Sequence, residues 1–525
     1  MIRTLRIVLR LFVIGRTMAR HDALAVVEEL GLAPSLVWLV RLLPSRRVEG
    51  RPGQKLARAL IELGPAFIKL GQFLSTRADL MGEQMAADLA ELQDRLPPFT
   101  ADEARATIEA ELGQSVEELF SEFDPVPISA ASISQVHFAV TRADEGETAE
   151  TAKDAAGREV AVKVLRPGIE RAFQRDLSLF YWLAQLAERT QPRLRRFKPL
   201  AVVREFEEIV GIEMDLAMEA AAASELAENF EGDETYRTPP IDWRRTSRRV
   251  LTMGRVSGIR IDDREALLAA KLDLTEVLTK AAAIFFNQVF RDGFFHGDQH
   301  PGNMFVDAGG NIVAVDFGIM GRLDQQTRTF LAEMLLAQLA RDYGRLAEVH
   351  VQAGYLPAGE PLEVFAQALR SVSEPIFDRP LAEISLARLL ARLLQLSESF
   401  NMPVQPQLLL LQKNMLMAEG VSRSLDPGLN IWTLAEPLVA EWMRANRGPE
   451  ARLRRATEEM GRTLERLPGL VGKVETAAEA LSADGVRLHS DSLEALDRQN
   501  AGRTWQIRAL WAAVALLALG LVASL

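Results

Sequence analysis

The chain of 525 residues, 48% hydrophobic and 25% charged, is long enough for several domains and ordinary in composition for a folded protein. A mean hydropathy of +0.01 argues against a polytopic membrane protein, and 61 basic against 72 acidic residues, net −11, against broad nucleic-acid binding. With no cysteine, disulfides, thiolate metal sites, iron–sulfur clusters and cysteine nucleophiles are excluded.

The N-terminal MIRTLRIVLRLFVIGRTMAR sets Arg3, Arg6 and Arg10 at helical spacing among apolar residues. It predicts an amphipathic helix, either at a membrane interface or packed on the domain, and the interrupting arginines argue against a signal peptide. Residues 53–95 read as two helices, the first carrying ALIELGPAFIKLGQFLSTR. SISQVHFAV and REVAVKVLRP alternate like strands, separated by a polar loop rich in Thr and Ala. Residues 171–230 return to helix, and RRVLTMGRV follows the Pro239–Pro240 turn as a third strand. After a helix over 273–294, FFHGDQHPGNMFVDAGGNIVAVDFGIMG reads as loop and hairpin, turning at Gly309–Gly310. From 324 to about 505, helix follows helix. The class is α+β.

The last 17 residues, Ala509–Leu525, carry no charge. As a helix they span roughly 26 Å at about 1.5 Å per residue, and Trp505 and Ile507 extend this toward a hydrocarbon core of about 30 Å. Trp505 and Trp511 suit an interface, and Arg498, Arg503 and Arg508 precede the span. The expectation is a transmembrane helix with the main body in the cytoplasm. The alternative is a terminal helix buried against protein.

The chemistry concentrates in two hairpins. Asp298 and Asn303 are five apart, and Asp316-Phe317-Gly318 follows. Phosphoryl transfer needs a carboxylate near the nucleophile and oxygen ligands that hold Mg²⁺ against phosphates. Asp298 fits the first role; Asn303 and Asp316 fit the second, since Mg²⁺ completes its shell with water and phosphate. D-x-x-x-x-N followed by DFG matches the protein-kinase catalytic signature. A metal site of His296, Asp298 and His300 lacks a further ligand. Upstream, Val160-Ala161-Val162-Lys163 puts a lysine on a strand, costly to bury without a partner. Alone it is a weak signal; in this order it matches the kinase nucleotide lysine, with Glu219 as the candidate helical partner. No G-x-G-x-x-G precedes it. In its place stands Ser129-Ala130-Ala131-Ser132-Ile133-Ser134-Gln135, whose methyl groups restrict close approach to phosphates, so that nucleotide is held differently.

Over roughly residues 55–445 the sequence resembles the UbiB (ADCK) family of atypical kinase-like proteins. The resemblance rests on Lys69-Leu70-Gly71-Gln72 with LSTRADL, AASISQVH, VAVKVLRPG, Glu213-Met214-Asp215 with Glu219-Ala220, HGDQHPGN and VDFG. It implies a bilobal protein-kinase-like fold with an N-terminal helical extension over the active site and a C-terminal helical and transmembrane tail. The implied divisions are the extension at 1–100, an N-lobe at 101–255 and a C-lobe at 256–445. A helical region at 446–505 and a transmembrane helix at 506–525 complete them. It implies ATP and Mg²⁺ as cofactors and ATPase activity favoured over protein phosphorylation, in support of ubiquinone or other isoprenoid-lipid metabolism. Carried over, Ala130, Ala131, Ser132, Lys163 and Glu219 hold nucleotide, and Asp298 is catalytic. Asn303 and Asp316 bind metal, and Glu213 and Asp215 face Lys69 near Gln72 as a regulatory latch.

The family's usual H-A-D-P-H-P-G-N here has Gly297 and Gln299, and Gly254 stands where an acidic residue is common. Bacterial members of the family can carry two terminal transmembrane helices, whereas one is expected here; a lone helix could pair between two chains in a homodimer. The expected partners are membrane lipid, hydrophobic isoprenoid-quinone precursors and other quinone-biosynthesis proteins, with no nucleic acid. The expected place is the cytoplasmic face of the bacterial inner membrane. The rival readings are a small-molecule or protein kinase using the same residues, and a nucleotide-binding scaffold without turnover.

Overall fold

The structure, a computed structural model, describes residues 2–24, 48–142, 157–377 and 386–444, apart from breaks at 76, 78–80, 91, 93–95, 191–194, 196–197, 358, 401, 403–405 and 427–436. The chain divides into a unit Met1–Met443, which holds every element below, and a unit Arg444–Leu525, of which only Arg444 is described. The regions expected at 446–505 and 506–525 thus lie outside the described residues. Among the described residues no helix is long and apolar enough to cross a membrane.

Helix α1 (Ile2–Arg20) docks on the domain through Arg10. Its guanidinium forms two 2.9 Å hydrogen bonds with the carboxylate of buried Asp176 and a third with the Leu63 carbonyl. This bidentate geometry is the strongest an arginine makes with a carboxylate. Met18 and Ala19 are buried, while Leu9, Phe12 and Val13 of the same helix are exposed.

Helices α2 (Pro52–Leu63), α3 (Pro65–Ser75) and α4 (Glu83–Ala90) occupy the segment expected to form two. The break falls at Gly64, whose φ of 105° suits glycine, followed by Pro65, which lacks an N–H and opens the next helix. A capping box starts α5 (Ala101–Leu112), with Thr100 and Glu103 accepting from each other's backbone N–H. The single turn α6 (Val116–Leu119) leads into the sheet.

Strands β1 (Phe120–Phe123), β2 (Ser129–Ala130), β3 (Ser134–Thr141) and β4 (Glu159–Leu165) begin an antiparallel sheet. Beyond helices α7 (Ile169–Thr190), α8 (Pro199–Glu213) and α9 (Leu216–Asn229) and the short strand β5 (Tyr236–Arg237), strand β6 (Val250–Gly254) closes it in the order β1-β3-β4-β6. The two-residue period of β4 decides its faces. Val160, Val162 and Val164 pack with Ile108, Val116 and Leu119 under α5 and α6. Ala161 and Lys163 turn to the opposite face, where Leu165, Leu251 and Met253 meet Phe173 and Phe180 of α7, Phe206 of α8 and Ala220 of α9. Phe67 and Phe73 of α3 complete that layer, tying the extension to the lobe.

The second part opens with β7 (Ile259–Arg260), α10 (Arg264–Ala269) and α11 (Leu274–Phe286). A π-turn over Asn287–Asp292 follows, then β8 (Phe294–His296), β9 (Met304–Val306), β10 (Ile312–Ala314) and β11 (Met320–Arg322). The sheet order is β5-β10-β9-β7, with β8 paired to β11. The β9–β10 turn is held by Asp307, whose Oδ1 accepts the N–H groups of Gly309 and Asn311. Helices α12 (Gln325–Leu339), α13 (Tyr343–Gln352), α14 (Leu362–Phe377), α15 (Leu386–Ser399) and α16 (Pro406–Leu425) pack beyond it. Leu411 of α16 shares a core with Phe290, Phe295 and Leu323.

Candidate functional site

The face of β4 fixed by its valines aims Lys163 at the first turn of α9. There Glu219 receives it in bidentate fashion, Nζ lying 2.7 Å from Oε1 and 2.9 Å from Oε2. The same Nζ lies 3.1 Å from Oδ1 of Asp316, so one lysine joins β4, α9 and the segment after β10. Glu219 is only 5% exposed, and its Oε1 also accepts the N–H of Phe317 at 3.3 Å. Burial opposes the charge on Lys163, but the carboxylates of Asp316 and Glu219 outweigh it and raise the lysine above its ordinary value. Burial raises Glu219 despite Lys163 beside it. Lys163, followed by more distant Lys69, holds the Asp316 carboxyl below the usual carboxylate range.

Asp316 takes φ 65°, a left-handed backbone that a residue with a side chain adopts at a cost and that clusters at functional positions. Phe317 beside it is buried, its ring 5.6 Å from that of His296.

Strand β8 delivers the other hairpin. His296 is buried, which lowers its proton affinity, and its Nδ1 accepts the backbone N–H of Asp298 at 3.1 Å. His300 likewise spends Nδ1 on the N–H of Gly302. These histidines shape the loop. Asn303 ends a 3₁₀ turn, its Nδ2 reaching the Asp298 carbonyl at 3.4 Å, and its own carbonyl accepts the N–H of Val315 at 2.9 Å. The Asp298 loop and Asp316 are therefore joined one residue short of the metal-binding candidate. Among the described residues no cluster of three or more His, Cys, Asp or Glu could hold a metal by itself. One carboxylate and one amide, Asp316 and Asn303, fit Mg²⁺ completed by phosphate and water.

The alanine-rich turn connects β2 to β3. Ala130 pairs with Gln135 across the ladder, the N–H of Ala131 donates to the Ser134 carbonyl at 2.8 Å, and Ser132 is buried. Arg166 braces the turn from behind, reaching the Ala131 and Pro97 carbonyls. In the extension, Lys69 forms an ion pair with Glu213 at 2.8 Å, both side chains largely buried. Gln72 lies one turn further along α3 from Lys69. Asp215 is placed differently from Glu213. Its Oδ1 caps α9 by accepting the N–H of Ala217 at 3.1 Å, and its other oxygen lies 3.9 Å from Arg248.

Three residues near Asp298 have no counterpart in the motif reading. Lys413 on α16 pairs with Asp298 at 2.8 Å. Asn414, fully buried, accepts the N–H of Gln299 at 3.0 Å and donates to the His296 carbonyl at 2.6 Å. Gln288, in the π-turn, accepts from the His296 N–H and the Gln299 side chain. Gly297 admits this arrangement because a Cβ there would sit 2.8 Å from Ile319 Cγ2 and 3.0 Å from its carbonyl.

Residues 91–350 match the ABC1 atypical kinase-like domain, and residues 369–430 the UbiB helical domain, which contains Lys413 and Asn414. The chain is similar to proteins named probable protein kinase UbiB. It is 43% identical to that of Marinobacter nauticus over 82% of this chain and 78% of the other. For Azotobacter vinelandii the figures are 43%, 84% and 80%, and for Pseudomonas putida strain GB-1 they are 38%, 96% and 91%. A solved structure, the Rv3197–erythromycin complex from Mycobacterium tuberculosis, is 23% identical with a TM-score of 0.44, covering 70% of this chain and 94% of its own.

Proposed function

This chain belongs to the UbiB family of atypical kinase-like proteins, and on that premise we propose that it is a membrane-anchored ATPase supporting ubiquinone biosynthesis. It binds Mg-ATP between its two lobes and couples turnover to the handling of a hydrophobic isoprenoid-quinone precursor. The observation that carries the nucleotide half is Lys163, held between Glu219 and Asp316. A cation so placed meets the α- and β-phosphates while its helical partner fixes its direction. Asn303 and Asp316 would hold Mg²⁺, which when bound would neutralise phosphate charge. The Ala130–Ser132 turn covers the phosphates from the β2–β3 side.

Asp298 takes the proton from the attacking water, or from an acceptor hydroxyl, as its oxygen bonds to the γ-phosphorus and the bond to the ADP oxygen breaks. Lys69 and Glu213 close the extension onto the site, which favours a small nucleophile over a protein side chain. Two largely buried opposite charges 2.8 Å apart make a latch that costs more to open than a surface pair. The 17 uncharged residues of Ala509–Leu525 would supply the anchor, with the main body of the chain on the cytoplasmic side.

The test is phosphate release by the full chain with and without anionic liposomes and a phenolic prenyl-precursor analogue, for wild type and Asp316→Asn. Lipid-stimulated turnover lost in the variant supports the proposal, and turnover indifferent to lipid removes its coupling half. The relatives' name favours one other reading, a kinase, which would transfer label from the γ-phosphate of ATP to an acceptor. Nucleotide binding without turnover, with Asp298→Asn fully active in cells, would leave a scaffold.

A further inference from the structure

The segment from Asp298 to Asn303 reads Asp-Gln-His-Pro-Gly-Asn and contains no lysine or arginine. Its histidine has Nδ1 engaged with Gly302. Phosphoryl transfer is driven almost wholly by positioning and by stabilising charge spread over the equatorial oxygens of the transferred group. Lys163, paired with Glu219 and Asp316, is assigned above to the α- and β-phosphates, so that, besides Mg²⁺, charge developing on the Asp298 side calls for a second cation.

The fold supplies it from α16. Asn414 is fully buried and grips the loop on both sides of Asp298, through the His296 carbonyl and the Gln299 N–H. Those two bonds fix the height and rotation of α16 against the loop. The preceding residue, Lys413, is thereby placed with Nζ 2.8 Å from Asp298 Oδ1. The pair is not sealed in the core: the Lys413 and Asp298 side chains are 32% and 31% exposed, open enough for a ligand to reach both. An ion pair this exposed adds little to folding. Its worth lies in what approaches Asp298.

We propose that Lys413 is a further catalytic residue: it is the cation on the acceptor side of the transferred phosphoryl group, supplied by the helical region because the catalytic loop has none. In the free protein it holds the Asp298 carboxylate; in the transition state Nζ contacts an equatorial oxygen of the group passing beside that carboxylate. This inference rests on the phosphoryl-transfer reading above and adds a residue to it.

The experiment compares wild type, Lys413→Met and Lys413→Arg, full chain, in phosphate release and in calorimetric binding of ADP and of ADP–Mg–aluminium fluoride. Lys413→Met is expected to lower kcat by about 10²-fold, the scale for removing one donor aimed at developing charge, with KM for ATP nearly unchanged. It should weaken the aluminium fluoride complex far more than ADP, and Lys413→Arg should restore much of both. Equal binding of the aluminium fluoride complex by wild type and Lys413→Met overturns the inference, whether or not turnover is measurable. So does a loss shared equally by ADP, which marks a structural role. If wild type binds ADP and the analogue and Lys413→Met binds both equally well, the inference falls and the nucleotide reading stands. If wild type binds neither, both fall.

Discussion

Replacing Lys163 by methionine isolates the electrostatics on which the proposed nucleotide half of the site depends. The variant keeps the stem that packs on the strand face and removes the charge that Glu219 receives at 2.7 and 2.9 Å. Glu219, with its side chain 4% exposed, then retains only the Phe317 N–H at 3.3 Å. Stripping one partner from a buried pair costs about 3–5 kcal/mol, because the remaining charge is stranded rather than because the pair was worth that much. Glu219 can escape by taking a proton. Burial already raises its pKa above the ordinary 4.5, and the loss of Lys163 raises it further. A carboxyl whose folded pKa exceeds its unfolded value binds more protons when folded, so stability falls as pH rises through the window between the two. The slope is at most about 1.4 kcal/mol per pH unit. Over two units, from pH 6 to pH 8, the deficit of Lys163→Met relative to wild type should therefore grow by up to about 2.7 kcal/mol. Urea denaturation followed by tryptophan fluorescence at both pH values measures it, Trp182 and Trp243 lying in the same lobe. The double variant Lys163→Met/Glu219→Gln should recover most of the loss and show no extra pH dependence. A deficit equal at pH 6 and pH 8, or a double variant no better than the single one, would refute the reasoning.

Asn414→Ala should destabilise by about 1–3 kcal/mol in thermal or urea unfolding, since it leaves the buried His296 carbonyl and Gln299 N–H without a partner. Gln299→Pro removes the N–H to Asn414 and one side-chain bond, and is expected to cost less than Asn414→Ala in the same assay. Gly321→Ala puts a methyl about 2.1 Å from the Phe295 ring across the β8–β11 pair; overpacking of about 1–3 kcal/mol should lower the melting temperature. Lys69→Met should open the extension, seen as faster hydrogen exchange across Pro65–Ser75 and new transfer of labelled phosphate to protein. Unchanged exchange would show that Glu213 does not hold the extension.

What could be read in the sequence follows from which signals are local. Strands β3 and β4 declare themselves through period-two alternation and β6 through its apolar run after the Pro239–Pro240 turn, and the alternating Val of β4 places Lys163 off the valine face. Asp298, Asn303 and Asp316 stand out in the sequence because the kinase signature ties residue type to spacing along the chain. The break at Gly64–Pro65 is also local, and a run of apolar periodicity on both sides conceals it. Lys413 and Asn414 are a different case. Asn414 meets Gln299 across 115 residues of chain, and α16 reads as one more amphipathic helix until its rotation is known. Asp215 shows local chemistry taking precedence: an aspartate just before a helix meets the nearest N–H groups, here that of Ala217, while Glu213, at the end of the preceding helix, is left to reach Lys69.

That arrangement has a mechanical side. Glu213 and Glu219 are the anchor points of two lysines that arrive from different parts of the molecule, and only the bend capped by Asp215 separates them. The bend is short and pinned, so it transmits displacement. On the proposed reading, a pull that draws Lys163 toward phosphate would tug on one end of the bend, with the extension on the other. If nucleotide alters the grip on the extension in this way, reciprocity requires that freeing the extension alter the grip on nucleotide by the same factor. The two lysines are in effect the pans of one balance, with Asp215 as its pivot.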